Sequence, residues 1–183
     1  MNHEFMTDLS SALEAHGIAT LRFQFPYMEQ GSKRPDSPAV AEAAIRAVVA
    51  EANRRLPDVP LFAGGKSFGG RMTSQAQARE PLPGVKGLVF VGFPLHPSGK
   101  PAVERANHLD EVAIPMLFLQ GTRDALAELD LVKQVTTGLG ARATLHVVEA
   151  TDHAFHVLVR SGRSNAEVIE ELATRVSAWI LKR

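Results

Sequence analysis

The chain has 183 residues, 45% of them hydrophobic, which is long enough to bury a core without covalent staples. Twenty Lys and Arg balance twenty Asp and Glu, so a general electrostatic grip on nucleic acid or an anionic membrane is excluded. Cysteine is absent, which rules out disulfides, thiolate nucleophiles and Cys-ligated zinc or iron–sulfur centres.

In chain order, MNHEFMTDLS carries acids and no apolar segment, and no apolar run reaches the ~18 residues of a membrane span. A signal peptide and a transmembrane helix are therefore not expected, and a cytoplasmic location is. Phe5, Leu9 and Leu13 recur every fourth residue and predict a helix that Gly17 caps. Ile18 to Phe25, apolar and partly alternating, predicts a strand stopped by Pro26, with a loop from Gln30 to Pro38. From Ser37 to Arg55, Val40, Ala44 and Val48, with Ile45 and Val49 beside them, predict an amphipathic helix with Pro38 in its first turn. A strand over Val59 to Ala63 leads through GGKSFGG into a helix reaching about Arg79. Gly87 to Phe93, Met116 to Gln120 and Thr144 to Val148 read as further strands, with a helical stretch from Ala125 to about Gly138. Val168, Leu172, Val176, Trp179 and Ile180 mark a C-terminal helix.

Strand and helix alternate without a hairpin signal, and the apolar strands suit burial on both sides. The expected architecture is a single α/β domain over residues 1–183: a three-layer αβα sandwich on a mainly parallel sheet of about five strands.

Gly65-Lys66-Ser67-Phe68-Gly69 fits G-x-S-x-G between a strand and a helix. Such a turn holds the serine in a strained backbone with its hydroxyl above the sheet. Side chains at positions 65 and 69 are expected to collide across it, and the Phe68 N–H is placed to donate to an oxyanion. A Walker A loop needs glycine where Pro60 stands, and G-x-G-x-x-G fails at Lys66 and Ser67, so nucleotide binding here is not expected. A serine nucleophile needs a base and an orienting carboxylate. His153 and Asp124 each follow a predicted strand, in the chain order Ser, Asp, His.

Asp152 is read as shaping the turn, Asp130 as solvated on a helix, and His156 as the first turn of a following helix. His96 and His108 have no metal-ligand spacing and read as ordinary loop residues. His16-Gly17 reads as a helix end. Lys66 and Arg71, the charges nearest the nucleophile, read as solvent-facing rather than as ligands for a substrate anion. No metal or cofactor is expected.

RFQFPYM from Arg22, GGKSFGGR from Gly64, GFPLHP from Gly92, QGTRD from Gln120 and DHAF from Asp152 appear in succession. Together they resemble the small dienelactone-hydrolase-like group of α/β-hydrolases, in the branch containing testis-expressed protein 30 and the NSL-complex regulatory subunit. The resemblance implies Ser67 as nucleophile, Asp124 as orienting acid and His153 as base. It also implies strands ahead of Phe5, ending in a loop that supplies a second oxyanion donor. The expected fold is thus a truncated one, whose missing strand lies between those matching Leu21–Phe25 and Val59–Ala63. Such a gap should not stay open: a later-than-true start or direct pairing of the flanking strands is expected, with another chain in the slot as the remaining option. The expected activity is a lidless serine esterase acting on a small soluble ester or lactone. A hydrolase-fold binding or scaffold protein is the alternative. An exposed strand edge allows a homodimer without demanding one.

Overall fold

A computed structural model describes residues 4–183. Residues 1–3, where the expectation about the front of the fold begins, lie outside them. In order, the elements are α1 (Glu4–Ala15), α2 (Pro26–Glu29), α3 (Pro38–Arg55), β1 (Leu61–Lys66), α4 (Phe68–Arg79), β2 (Val85–Val91), a 3-10 helix (Glu104–Glu111), β3 (Met116–Gly121), α5 (Leu129–Leu139), β4 (Ala143–Val148) and α6 (Asn165–Ile180). The four strands pair in parallel in the order β1-β2-β3-β4.

Successive side chains of a strand point to opposite faces, and this alternation divides the core in two. Leu88, Phe90, Met116 and Phe118 pack against α3, α4 and α5, while Val89, Val91, Leu117 and Leu119 pack against α1 and α6. The result is a three-layer sandwich. β3 is buried at every position, as its unbroken apolar run requires. Along α3 the buried stripe is Ala41, Ile45 and Val49, one residue round from the stripe expected, and Val40 is 44% exposed.

The expected strand at Ile18–Phe25 is not a strand, so the described sheet has four members rather than five. From Ala19 to Gln24 the backbone makes no hydrogen bond to other backbone groups among the described residues. A strand is defined by its ladder, and this segment has no neighbour among the described residues to build one with. It does not close onto β1. A groove of about 850 Å³ separates the two, lined by Leu13, Leu21, Phe23, Val49, Leu61 and Ala63 among others. The gap can stay open because its rims reach water. β1 is half-buried throughout and Leu21 is 44% exposed, so neither rim is sealed in the core, where each unpaired backbone group would cost roughly 1–3 kcal/mol.

Smaller differences have local causes. β1 runs on to Lys66 because it keeps pairing with β2 as far as Val91. β2 stops two residues early, at Gly92, whose φ of 69° leaves the strand region. The 3-10 helix at Glu104–Glu111 takes in His108, which was expected in a loop, and the short α2 lies between the expected strand and the loop from Gln30, where no element was expected. The first turn expected of α5 is instead a loop held by Asp124, which accepts from the Leu126 N–H at 2.8 Å.

Candidate active site

The carboxyl ends of parallel strands point the same way, so the loops that follow them share one edge of the sheet. Ser67 follows β1, Asp124 follows β3 and His153 lies five residues beyond β4.

Ser67 has φ 51° and ψ −117°, a backbone region that a side chain rarely adopts. The surrounding turn is enforced by contact. A Cβ on Gly70 would lie 2.7 Å from the Gly65 carbonyl oxygen, and one on Gly65 would lie 3.1 Å from the Gly69 carbonyl carbon. Position 65 is thus crowded by the backbone of both 69 and 70, while the tightest contact is made from 70 and a side chain at 69 itself would meet only the Phe25 ring at 3.7 Å. Phe68 opens α4, where N–H groups have no intrahelical acceptor, and its N–H makes no backbone hydrogen bond. It belongs to the turn that carries the Ser67 hydroxyl.

His153 Nε2 stands 2.8 Å from Ser67 Oγ, and Nδ1 stands 2.7 Å from Asp124 Oδ2. The Asp124 side chain is wholly buried. Beyond the imidazole it accepts from Gln120 Nε2 at 2.6 Å and from the Leu126 N–H at 2.8 Å, so its ionised form is well supplied with donors. With Nδ1–H donating to that carboxylate, Nε2 presents its lone pair to the serine. The three side chains singled out in the sequence thus meet within hydrogen-bonding distance.

The loop carrying His153 is tightly specified. Asp152 Oδ1 accepts from the N–H groups of Ala154 and His156, both at 2.9 Å, and Ala150 and Phe155 have positive φ. Asp152 therefore shapes the turn. His156 is exposed outside any helix, with its N–H committed to Asp152.

Lys66 does not face solvent. Its ammonium donates to the His153 carbonyl at 2.8 Å and lies 5.0 Å from the Phe5 ring centroid and 5.6 Å from that of Phe155. Burial lowers its pKa, while Asp124 and Asp152 oppose that shift. Arg71 is half-buried with Nε enclosed and unpartnered, instead of lying along the helix surface. Of the two histidines expected in loops, His96 does lie in one but is buried, and His108 sits on the 3-10 helix. His96 is 1% exposed and bonds at Nδ1 to the Pro97 carbonyl oxygen at 2.9 Å. His108 Nε2 lies 2.7 Å from Ser74 Oγ, a second Ser–His pair, but Ser74 is wholly buried and no carboxylate joins it. Burial, and after it the charge of Arg71, push His108 down to about 4.

Gln120 and Lys66 were the contributors missed in the sequence. Gln120 carried a signal, as the one polar side chain in MLFLQG. Lys66 carried none, because its acceptor is a backbone carbonyl 87 residues away. Among the described residues no group of three or more His, Asp or Glu side chains is arranged to hold a metal ion, and no helix is long and apolar enough to cross a membrane.

Comparison with known proteins agrees with this architecture. The sequence model of the alpha/beta hydrolase domain matches residues 1–181. An alpha-beta serine hydrolase homologue from Coxiella burnetii superposes with a TM-score of 0.75 at 23% identity, over 96% of this chain and 76% of that one. A serine hydrolase without lid from Xanthomonas campestris gives 0.74 at 23% identity, over 98% and 75%. The esterase domain of a Rhodothermus marinus protein gives 0.69 at 19% identity, over 97% and 80%. At these identities the likeness is one of fold.

Proposed function

Because the chain belongs to the alpha/beta hydrolase family, we propose that it is a serine hydrolase cleaving a small soluble ester or lactone through Ser67, His153 and Asp124. The observation that carries this reading is the unbroken relay from Ser67 Oγ through His153 to the buried Asp124 carboxylate, hung on a strained turn.

Ser67 Oγ attacks the ester carbonyl as His153 Nε2 takes its proton, and Asp124 stabilises the imidazolium. Negative charge develops on the former carbonyl oxygen, next to the Phe68 N–H. Collapse of the tetrahedral intermediate expels the alcohol, which receives the proton from His153. Water, activated by the same imidazole, then releases the acid and restores Ser67. Between β2 and β3 the chain has only a loop and one 3-10 helix, too little for a bulky cover over the serine. Pro94 to Pro101 form part of the wall, and short acyl chains are preferred. The Xanthomonas neighbour without lid and the Rhodothermus esterase domain support the same reading.

A fluorophosphonate probe tests it. Wild-type protein is expected to be labelled and to hydrolyse p-nitrophenyl acetate, and Ser67→Ala to lose both. Asp124→Asn is expected to lower kcat by roughly 10⁴ by holding the wrong imidazole tautomer. Folded wild-type protein that leaves the probe unreacted would instead mark a binding module on a hydrolase fold, and strong preference for long acyl chains would overturn the open site.

A further inference from the structure

Along β3, Met116 and Phe118 feed one half of the core, and Gln120 comes next in the same alternating row. It is wholly buried, and an apolar side chain there would simply lengthen the row. Its Nε2 instead donates to Asp124 Oδ2 at 2.6 Å, while its Oε1 is enclosed without a hydrogen-bond partner among the described residues. The amide is oriented by that neighbour, because the reverse setting would bring two oxygens to the same short distance. A buried carbonyl oxygen left unmatched is costly. What the arrangement gains is one donor, aimed at the acid of the relay.

Asp124 lies four residues further on, across the turn that closes β3. The backbone of that turn is fixed from outside: the Thr122 N–H donates to the Val148 carbonyl at 3.2 Å and the Arg123 N–H to the Thr151 carbonyl at 2.9 Å. The carboxylate is a separate matter, since rotation about its Cβ–Cγ bond is soft. Hydrogen bonds stop it. The Leu126 N–H holds Oδ1 at 2.8 Å, and Oδ2 meets both Gln120 Nε2 at 2.6 Å and His153 Nδ1 at 2.7 Å. Gln120 is thus the donor that shares an oxygen with the imidazole. A carboxylate oxygen has two lone pairs, and a donor fixed on one of them leaves the other directed at Nδ1–H.

We propose that Gln120 is a positioning residue for the relay, setting the Asp124 carboxylate so that it selects the His153 tautomer with its proton on Nδ1. The proposal rests on the serine hydrolase reading and goes beyond it, since Gln120 bonds to the acid and acts through it. With the carboxylate free to turn, the imidazole loses its fixed acceptor. The form protonated on Nε2 then gains population, and that form has no lone pair to offer Ser67 Oγ.

Gln120→Met tests this, because a thioether of similar length removes the donor and the unmatched oxygen together. In the full chain, Tm is expected to stay within about 4 °C of wild type. The kcat on p-nitrophenyl acetate should fall roughly tenfold to a hundredfold with little change in KM. Ring-nitrogen spectra of 15N-histidine-labelled protein, with the His153 signals assigned by their loss in His153→Ala, give a readout that needs no turnover. His153 is expected to carry its proton on Nδ1 in the wild type and to be a mixture of tautomers in Gln120→Met. Equal kcat in the two proteins, or an unchanged His153 tautomer, overturns the assignment. A larger fall in Tm, or failure to fold, overturns it too, as a purely structural role would produce that result. If the fluorophosphonate leaves wild-type Ser67 unreacted, the hydrolase reading fails, and the His153 tautomer alone decides the role of Gln120.

Discussion

Lys66 spans the two halves of the candidate site, from the end of β1 to the carbonyl of His153. Lys66→Met keeps the apolar stem between Phe5 and Phe155 and removes only the donor. It is expected to lower kcat on a short neutral ester by roughly tenfold with little change in KM, because a misplaced imidazole affects the transition state more than the ground state. Lys66→Arg should restore part of the rate; equal kcat in wild type and Lys66→Met removes the positioning role. His108 sets a second expectation, for stability against pH. Its imidazole protonates near 4 in the folded chain against an ordinary 6.5, so the unfolded chain takes up the proton first as pH falls. Its neutral form is therefore matched to the fold above that window, and stability declines from about pH 6.5 toward 4. His108→Gln should flatten urea-derived stability against pH there by up to about one proton, and an unaltered slope would exonerate the imidazole.

Among the elements, α6 is the most completely written in its own sequence. Ser164 accepts from the Glu167 N–H while the Glu167 carboxylate accepts from the Ser164 N–H, a reciprocal cap, and the cap lowers the Glu167 pKa. Ser164→Ala is expected to cost about 1 kcal/mol in urea unfolding without affecting activity. α4 depends on contact instead. Its Gly70 abuts the Gly65 carbonyl, so Gly70→Ala must push the helix start away from β1. It is expected to cost ~1–3 kcal/mol and to depress probe labelling of Ser67 more than its stability loss accounts for. Labelling at the wild-type rate would mean that the turn tolerates the displacement. Of the two, α6 was expected from the recurrence of Val168, Leu172 and Val176 and α4 from the GGKSFGG turn ahead of it, while the Ser164–Glu167 cap went unread although the two sit three residues apart. The crowding at α4 arises between residues on a strand and a helix whose approach no local pattern specifies.

For the whole molecule, the groove beside β1 is the dominant feature away from the site. It joins apolar side chains from α1, α3 and α6 to a strand edge with unpaired backbone groups. Surfaces of that kind attract apolar dyes and other strands. The 183-residue chain is expected to enhance ANS fluorescence strongly under native conditions and to self-associate with concentration in sedimentation velocity. A monodisperse species that leaves the dye dark would show that the groove closes in solution. The site lies at the carboxyl edge of the same sheet, so a change in β1 reaches Ser67 through Lys66 and the turn.

What the amino-acid order determined by itself was whatever depends on short spacing: the α/β alternation, the G-x-S-x-G turn, and an acid and a histidine each placed after a strand. These follow from steric periodicity and turn chemistry, which act over a few residues. Tertiary structure alone decided the rest. Ile18 to Phe25 has a strand's composition but no partner among the described residues, since pairing is a property of two segments and not of one. Lys66 and Arg71 look like surface charges in sequence, yet both are drawn inward, one onto a distant carbonyl and the other half-buried with its Nε enclosed. Burial and electrostatic environment are set by neighbours far along the chain, and that is where the chemistry of this site is fixed.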